Sequence, residues 1–152
     1  MNHGIKIRAA NLSDKAQIEK FLRQMNLRSE DILAPNTQYW VAESDCHTLV
    51  GSAGLEFGVD SGLLRSVAVS PEFRNIGLGG ELVNTAMAFA KTKGCKNIFL
   101  FSVSSGKYWQ KIGFQAVPFD DLIQALPNSP QVIRFRSIGK LTTETGWKKE
   151  LT

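Results

Sequence analysis

The sequence has 152 residues, of which 43% are hydrophobic and 21% charged, and its formal net charge is +4. This size and composition are typical of one soluble globular domain, so we expect a single domain over residues 1–152. The positive charge is too small for a dedicated nucleic-acid-binding protein and suits an anionic small ligand at least as well.

Targeting segments and cysteine frameworks are not predicted. The N-terminus lacks the apolar core of a signal peptide, and no run of about 18 apolar residues occurs anywhere. Cys46 and Cys95 lie far apart without a CxxC or Cys/His neighbourhood, so we expect reduced thiols, no disulfide and no metal site. These features predict a cytoplasmic protein that does not act on membranes.

The first half of the chain predicts four strands and two helices. A short strand "IKIRA" precedes the helix "LSDKAQIEKFLRQMN", for which Ser13 is the expected N-cap, and "SEDILAPNTQ" predicts a brief helix ending before Pro35. Strands "YWVAES" and "HTLVGSAGLEFG" follow, joined by a polar turn around Ser44–Asp45. The strand "SGLLRSVAVS" ends at Pro71, which cannot continue a central strand.

The second half alternates helices and strands. "GELVNTAMAFAKTKG" has an apolar stripe at helical spacing and a natural stop at Gly94. The strand "KNIFLFSV", the short helix "SSGKYWQKIG" closed by Gly113, the strand "FQAVPF" and the helix "DDLIQALP" follow. This order predicts an α/β protein whose mixed sheet has antiparallel strands first and a βαβ crossover near its middle.

The segment "NSPQVIRFRSIGKL" is ambiguous. Ser129 followed by Pro130 is typical of a helix start, whereas Ile133 and Phe135 alternate with arginines as in a strand. We favour the helix, and "TGWKKELT" then supplies a last strand.

The stretch "VAVSPEFRNIGLGGELV" places an arginine and three glycines between a strand and an amphipathic helix. The first N–H groups of a helix have no intrahelical partners, and the helix dipole favours negative charge there. Gly77, Gly79 and Gly80 lack the side chains that would hold a pyrophosphate away from those donors, and Arg74 can add charged hydrogen bonds. Neither the Walker A pattern nor the dinucleotide fingerprint fits these glycines. A turn that is merely rich in glycine is the structural alternative.

The spacing that does fit is R-x-x-G-x-G, from Arg74 to Gly79. Together with the preceding strand, the following helix and the later "YWQKIGF", it resembles the acyl-CoA loop of the GCN5-related N-acetyltransferase (GNAT) superfamily. The resemblance covers nearly the whole chain in element order and is strongest to the amino-acid N-acetyltransferase branch, which includes N-acetylglutamate synthase-like domains and the acetyltransferases found with arsenic-resistance genes. It implies a central mixed sheet of six to seven strands flanked by helices.

The resemblance also implies the cosubstrate acetyl-CoA and the residues that bind it. The backbone of the strand would pair with the pantetheine arm, and the glycine loop would hold the pyrophosphate. The residues implied in cofactor binding are Val67, Ala68, Val69, Arg74, Asn75, Ile76, Gly77, Leu78, Gly79 and Gly80.

The implied chemistry is direct attack of an uncharged amine on the thioester, which needs a base for the amine proton and an acid for the thiolate. Glu56 is the best base candidate, being a lone carboxylate in an apolar strand; an outward-facing role is the alternative. Many family members carry a tyrosine as acid where this chain has Trp109, which has no acidic proton. Tyr108, Ser104 or the neighbouring Ser105 are the remaining candidates, with water.

Arginines are the candidates for substrate binding. Arg65, and Arg134 or Arg136, could bind a carboxylate bidentately, although solvated surface positions are the alternative. The expected acceptor is a small primary amine, an amino acid or analogue. A protein N-terminus or lysine acceptor, and an idle acyl-CoA-binding module, remain alternatives. Dimers through a sheet edge or the C-terminal strand are common in the superfamily, so the resemblance allows a homodimer.

Overall fold

The computed structural model describes residues 4–102, 105–138 and 145–151. Within them, seven strands form one mixed sheet accompanied by five α-helices, which confirms the predicted fold class. The strands are β1 (Lys6–Ala9), β2 (Thr37–Glu43), β3 (Leu49–Phe57), β4 (Ser61–Val69), β5 (Asn97–Ser102), β6 (Gln115–Val117) and β7 (Thr145–Glu150). The helices are α1 (Lys15–Gln24), α2 (Leu78–Thr92), α3 (Gly106–Lys111), α4 (Phe119–Ala125) and α5 (Pro130–Ser137).

The strand order across the sheet is β1-β2-β3-β4-β5-β7-β6. Strands β1 and β2 pair antiparallel, and β7 pairs antiparallel with both β5 and β6. Strand β4 pairs parallel with β5, with Ser61 opposite Asn97, so β4, α2 and β5 form the predicted βαβ crossover. Among the described residues, no helix combines the length and apolar character needed to span a bilayer.

The described residues cluster into two compact units. The first comprises the described residues up to Leu55 together with Ser66–Phe89, and the second comprises Glu56–Arg65 and the described residues from Ala90 onward. Each unit has its own apolar core. The first is built from Ile18, Phe21, Leu22, Ile32, Tyr39, Val41 and Leu49, and the second from Leu63, Phe99, Leu122, Leu126 and Val132.

Two local expectations in the first unit were wrong. Ser13 does not cap α1: Asn11 caps a single turn of 3₁₀ helix, Leu12–Asp14, by accepting the Ser13 N–H, while the Asp14 carboxylate accepts the Asn11 N–H at 2.9 Å. This reciprocal capping box starts the chain turning two residues earlier, and α1 continues from Lys15.

The brief helix expected in "SEDILAPNTQ" is absent from the structure, which has turns there instead. Asp31 and Leu33 have φ angles of 63° and 55°, in the left-handed region that a right-handed helix cannot contain. Ile32 between them is buried in the first core. The expected brief helix is therefore wrong, and the segment is a series of turns that buries Ile32.

The ambiguous segment near the C-terminus is a helix, as we favoured. Helix α5 begins with Pro130 in its first turn, and Val132 and Phe135, three positions apart, are both buried. The expected stop signals also hold, since Gly94 and Gly113 have φ angles of 87° and 103°.

We expect two glycine-to-alanine changes to have opposite effects on stability. A Cβ at Gly54 would lie 2.5 Å from two ring carbons of the fully buried Tyr39, so Gly54→Ala should destabilise by about 1–3 kcal/mol. In Gly80→Ala the new methyl meets no described atom within 4 Å, so the better helix propensity should add about 0.5–1 kcal/mol. Urea unfolding of both variants measures this difference, and equal effects would contradict it.

Candidate active site

The glycine-rich segment forms the start of α2. After β4 the chain makes a single 3₁₀ turn, Pro71–Phe73, and α2 begins at Leu78. The helix thus starts two residues before the predicted start at Gly80, and Gly79 lies in its first turn instead of in the preceding loop. The helix begins this early because the Gly77 carbonyl, at φ 85°, already accepts the Glu81 N–H at 3.0 Å.

This helix start leaves an open cradle in the backbone. A Cβ placed at Gly77 or Gly80 would meet no atom of the described residues within 4 Å, and one at Gly79 would meet only Val69 Cγ2, at 3.7 Å. The exposed Arg74 donates from Nε to the Val69 carbonyl at 2.9 Å, which holds its guanidinium beside the cradle. Unpartnered first-turn N–H groups with space around them and an adjacent cation fit a pyrophosphate.

Strand β4 is irregular just before this segment. Ser66 has a φ of 60°, a left-handed conformation that costs of order 1–3 kcal/mol for a residue other than glycine. The Ser66 carbonyl accepts the Ser52 hydroxyl at 2.6 Å, and the Ser66 hydroxyl shares a hydrogen bond with the Tyr39 hydroxyl at 3.2 Å. The half-buried residues Val67–Val69 come directly after it.

Glu56 lies at the centre of a buried polar network in the second unit. Its side chain is 0% exposed, and its Oε2 accepts Arg65 Nη1 at 2.8 Å in an ion pair whose arginine side chain is only 3% exposed. Its Oε1 accepts the Ser129 hydroxyl and the Gln131 backbone N–H. Both carboxylate oxygens are therefore hydrogen-bonded, and the outward-facing alternatives for Glu56 and Arg65 are wrong.

Ser129 and Gln131 are the members of this network that sequence reasoning missed. Ser129 does occupy the N-cap position of α5, but its hydroxyl makes no capping bond and donates to Glu56 instead. A serine before Pro130 predicts a helix start on local grounds. Nothing in the local pattern indicates that its hydroxyl bonds a carboxylate 73 positions away.

The candidates for the acid lie on or near α3. Tyr108 is 39% exposed, and partial burial raises the pKa of its hydroxyl above the ordinary value. Trp109 is buried and packs edge-on against Phe114, with ring centroids 5.4 Å apart, as expected of a structural aromatic. Ser104 lies outside the described residues. Ser105 N–H donates to Ser102 Oγ at 3.1 Å.

The remaining residues considered in the sequence are two arginines on α5 and the two cysteines. Arg134 is half-buried on α5, and Arg136 is exposed. Cys46 and Cys95 are both free thiols. Across residues 4–102, 105–138 and 145–151, the His, Cys, Asp and Glu side chains form no group of three that could hold a metal ion.

Comparison with known proteins identifies the family. The family model described as "Acetyltransferase (GNAT) family" matches residues 7–114, which include β1 except its first residue, β2 to β5, the helix start at Leu78 and all of α3. The chain belongs to the GNAT acetyltransferase family. The cradle at α2 and the irregular β4 are thus features of a GNAT domain.

Relatives of this GNAT chain include amino-acid acetyltransferases. It is 27% identical over 132 residues to the amino-acid acetyltransferase of Edwardsiella ictaluri, a match covering 82% of this chain and 30% of the relative. It is 25% identical over 118 residues to an uncharacterized N-acetyltransferase of Chlorobaculum tepidum, covering 73% and 76% of the two chains. The matches cover between 22% and 30% of the length of the amino-acid acetyltransferases.

Solved structures share the GNAT fold. N-acetylglutamate synthase from Neisseria gonorrhoeae, complexed with coenzyme A and N-acetyl-glutamate, superposes with a TM-score of 0.76 at 24% identity, covering 97% of this chain and 35% of that one. An N-acetyltransferase from Thermoplasma acidophilum in complex with coenzyme A gives a TM-score of 0.65 at 16% identity, covering 97% and 99%. At these identities the likeness establishes the fold.

Replacing only one partner of the Glu56–Arg65 ion pair should lower the stability of the fold strongly. Glu56→Gln leaves the buried guanidinium without its carboxylate, and we expect a loss of about 3–5 kcal/mol in the free energy of unfolding. Adding Arg65→Met to that variant removes the unpaired charge and should restore much of the loss. Urea unfolding of the two variants and the wild type tests this. A single variant as stable as the wild type would show that the pair contributes nothing.

Proposed function

We propose that this protein is an acetyl-CoA-dependent N-acetyltransferase that acetylates the primary amine of a small molecule, an amino acid or analogue, in the cytoplasm. The observation that carries the proposal is the open, glycine-lined start of α2 beside Arg74, at the end of β4. Membership of the GNAT family and the coenzyme A complexes of similarly folded proteins support it.

The cofactor would be held by backbone groups. The N–H groups from Asn75 to Gly80, with the Arg74 guanidinium, would bind the pyrophosphate, because they combine unpaired donors with positive charge. The backbone of Val67, Ala68 and Val69 would pair with the pantetheine arm as an added strand. When bound, acetyl-CoA supplies the activated acetyl group for transfer to an uncharged amine.

An amino-acid acceptor needs a cation for its carboxylate. Arg134, half-buried on α5, is suited to this role because burial strengthens a bidentate contact. Arg65 is the second candidate, a buried guanidinium whose Nη1 donates to Glu56. The names of the amino-acid acetyltransferase relatives support this acceptor class.

Proton transfer would use groups of the second unit. Glu56 as base would have to give up a hydrogen bond from Ser129 or Arg65 before it could accept the amine proton. Tyr108 is the acid we favour over Ser104, because a phenol is a stronger acid than a serine hydroxyl and still is so when partial burial raises its pKa.

Acetyl-CoA should stabilise the folded protein through the cradle. A ligand that binds only the folded state at 100 times its dissociation constant adds about 2.7 kcal/mol, which thermal unfolding detects as a raised melting temperature. Gly79→Glu places a carboxylate in the cradle and should abolish the shift. Arg74→Ala should reduce it, while the charge-matched Lys91→Ala, in the last turn of the same helix, should keep it. A wild type that does not respond to millimolar acetyl-CoA would refute the proposal.

Measuring the release of free coenzyme A thiol with different amines should identify the class of acceptor. With acetyl-CoA present, amino acids should release free coenzyme A thiol, and Arg134→Gln should raise the KM for the amino acid at least tenfold while leaving that for acetyl-CoA unchanged. Release with peptides and not with amino acids would instead support a protein acceptor. Cofactor binding without release for any amine would identify a binding module.

A further inference from the structure

We propose that Tyr39 and Ser52 are positioning residues for the cofactor. In this inference they hold Ser66 in its left-handed conformation and so set the direction in which the backbone of Val67–Val69 presents its polar groups. The inference rests on the proposed function, because it assigns that backbone to the pantetheine arm. All of these residues belong to the first compact unit.

The irregularity in β4 is one extra residue. Gly58 N–H bonds to the Ser61 carbonyl at the start of the β3–β4 hairpin, and Ser70 N–H bonds to the Val50 carbonyl at its far end. The chain advances eight positions from Val50 to Gly58 but nine from Ser61 to Ser70. An extra residue on one strand is a β-bulge, and it reverses the facing of every residue beyond it.

Ser66 is the residue that absorbs this bulge. Its φ of 60° is the only positive value among the described residues of β4. Serine has a Cβ and does not adopt this conformation readily, so the surroundings must hold it there. A glycine at this position would reach the same conformation without help.

The holding groups are two buried hydroxyls. Ser52 and Tyr39 are both 0% exposed, and they bond respectively to the carbonyl and the hydroxyl of Ser66. Ser66 is thus anchored through both its backbone and its side chain. Gly54 makes room for the tyrosine, because any Cβ there would lie 2.5 Å from the ring. The ring packs directly against the Gly54 backbone, with its hydroxyl 3.2 Å from the Ser66 hydroxyl.

The conformation of Ser66 affects the backbone of Val67–Val69, which we assign to the pantetheine arm. A ligand that pairs as an extra strand needs N–H and C=O groups aligned to hydrogen-bonding tolerance. If Ser66 relaxed to an ordinary strand conformation, the backbone groups of Val67–Val69 would turn away from that alignment. Loss of either anchor should therefore weaken acetyl-CoA binding, although neither anchor belongs to the ligand-binding groups named above.

The test is a double-mutant cycle read by calorimetric titration with acetyl-CoA. Tyr39→Phe removes only the hydroxyl, and we expect it to raise the dissociation constant about tenfold. The same change in a Ser66→Gly chain should have less than a twofold effect, because glycine needs no anchor. Ser66→Gly alone should bind within about threefold of the wild type, whereas Ser66→Ala, which also lacks the hydroxyl but keeps a Cβ, should lose about tenfold.

The binding results for these variants either support the positioning role or overturn it. Thermal unfolding of every variant checks that it is folded at the titration temperature. If Tyr39→Phe is unfolded there, the comparison of Ser66→Ala with Ser66→Gly tests the inference instead. An equal loss for Tyr39→Phe in both backgrounds, or equal binding by Ser66→Ala and Ser66→Gly, would overturn the inference. A wild type that does not bind acetyl-CoA would refute the proposed function itself, which is a different result from binding that is insensitive to these variants.

Discussion

Strand β4 is not regular along its whole length, and the geometry of the candidate site depends on that irregularity. Its first three residues pair in register with β5, from Ser61 opposite Asn97 to Leu63 opposite Phe99. At Ser66 the backbone changes to a left-handed conformation, and from there the strand runs into the 3₁₀ turn and the open start of α2. The strain at Ser66 persists because buried hydroxyl groups hold both its carbonyl and its side chain.

A second constraint is the buried charge at Glu56. A carboxylate without solvent is tolerable only when its oxygens are paired, and here a guanidinium, a hydroxyl and a backbone N–H share that task. Two of the three donors come from the start of α5, the helix that carries Arg134. The network therefore fixes the beginning of α5 against the end of β3 through polar contacts, while Val132 and Phe135 anchor the helix through apolar ones.

A third feature is the set of three close glycines at positions 77, 79 and 80, where α2 begins. The glycines weaken the first turn of α2, because each lowers helix propensity. The absence of side chains at these glycines leaves open space beside the first-turn N–H groups of α2, which an anion could occupy. Leu78, Leu82, Val83, Ala86 and Ala90 are buried along α2, and their packing offsets the weak start.

Local patterns in the sequence were sufficient for most elements and for the open glycine segment at the start of α2. Alternation of apolar and polar residues predicted the strands. The helix stop at Gly94 and the βαβ crossover followed from residue types and element order, and the R-x-x-G-x-G spacing indicated where α2 starts. Two local expectations failed for different reasons. Turns replace the expected helix where Ile32 packs into the first core, and another local motif, the Asn11–Asp14 capping box, takes the place of the expected cap at Ser13.

The sequence by itself determined which residue types the site contains, because helix starts, glycines and arginines act through short-range chemistry. Only the tertiary structure decided that Glu56, Arg65 and Ser129 form one buried network and that Tyr39 supports Ser66. Those partners lie between 9 and 73 positions apart along the chain. No local pattern encodes such pairings, since they depend on how the strands and α5 pack.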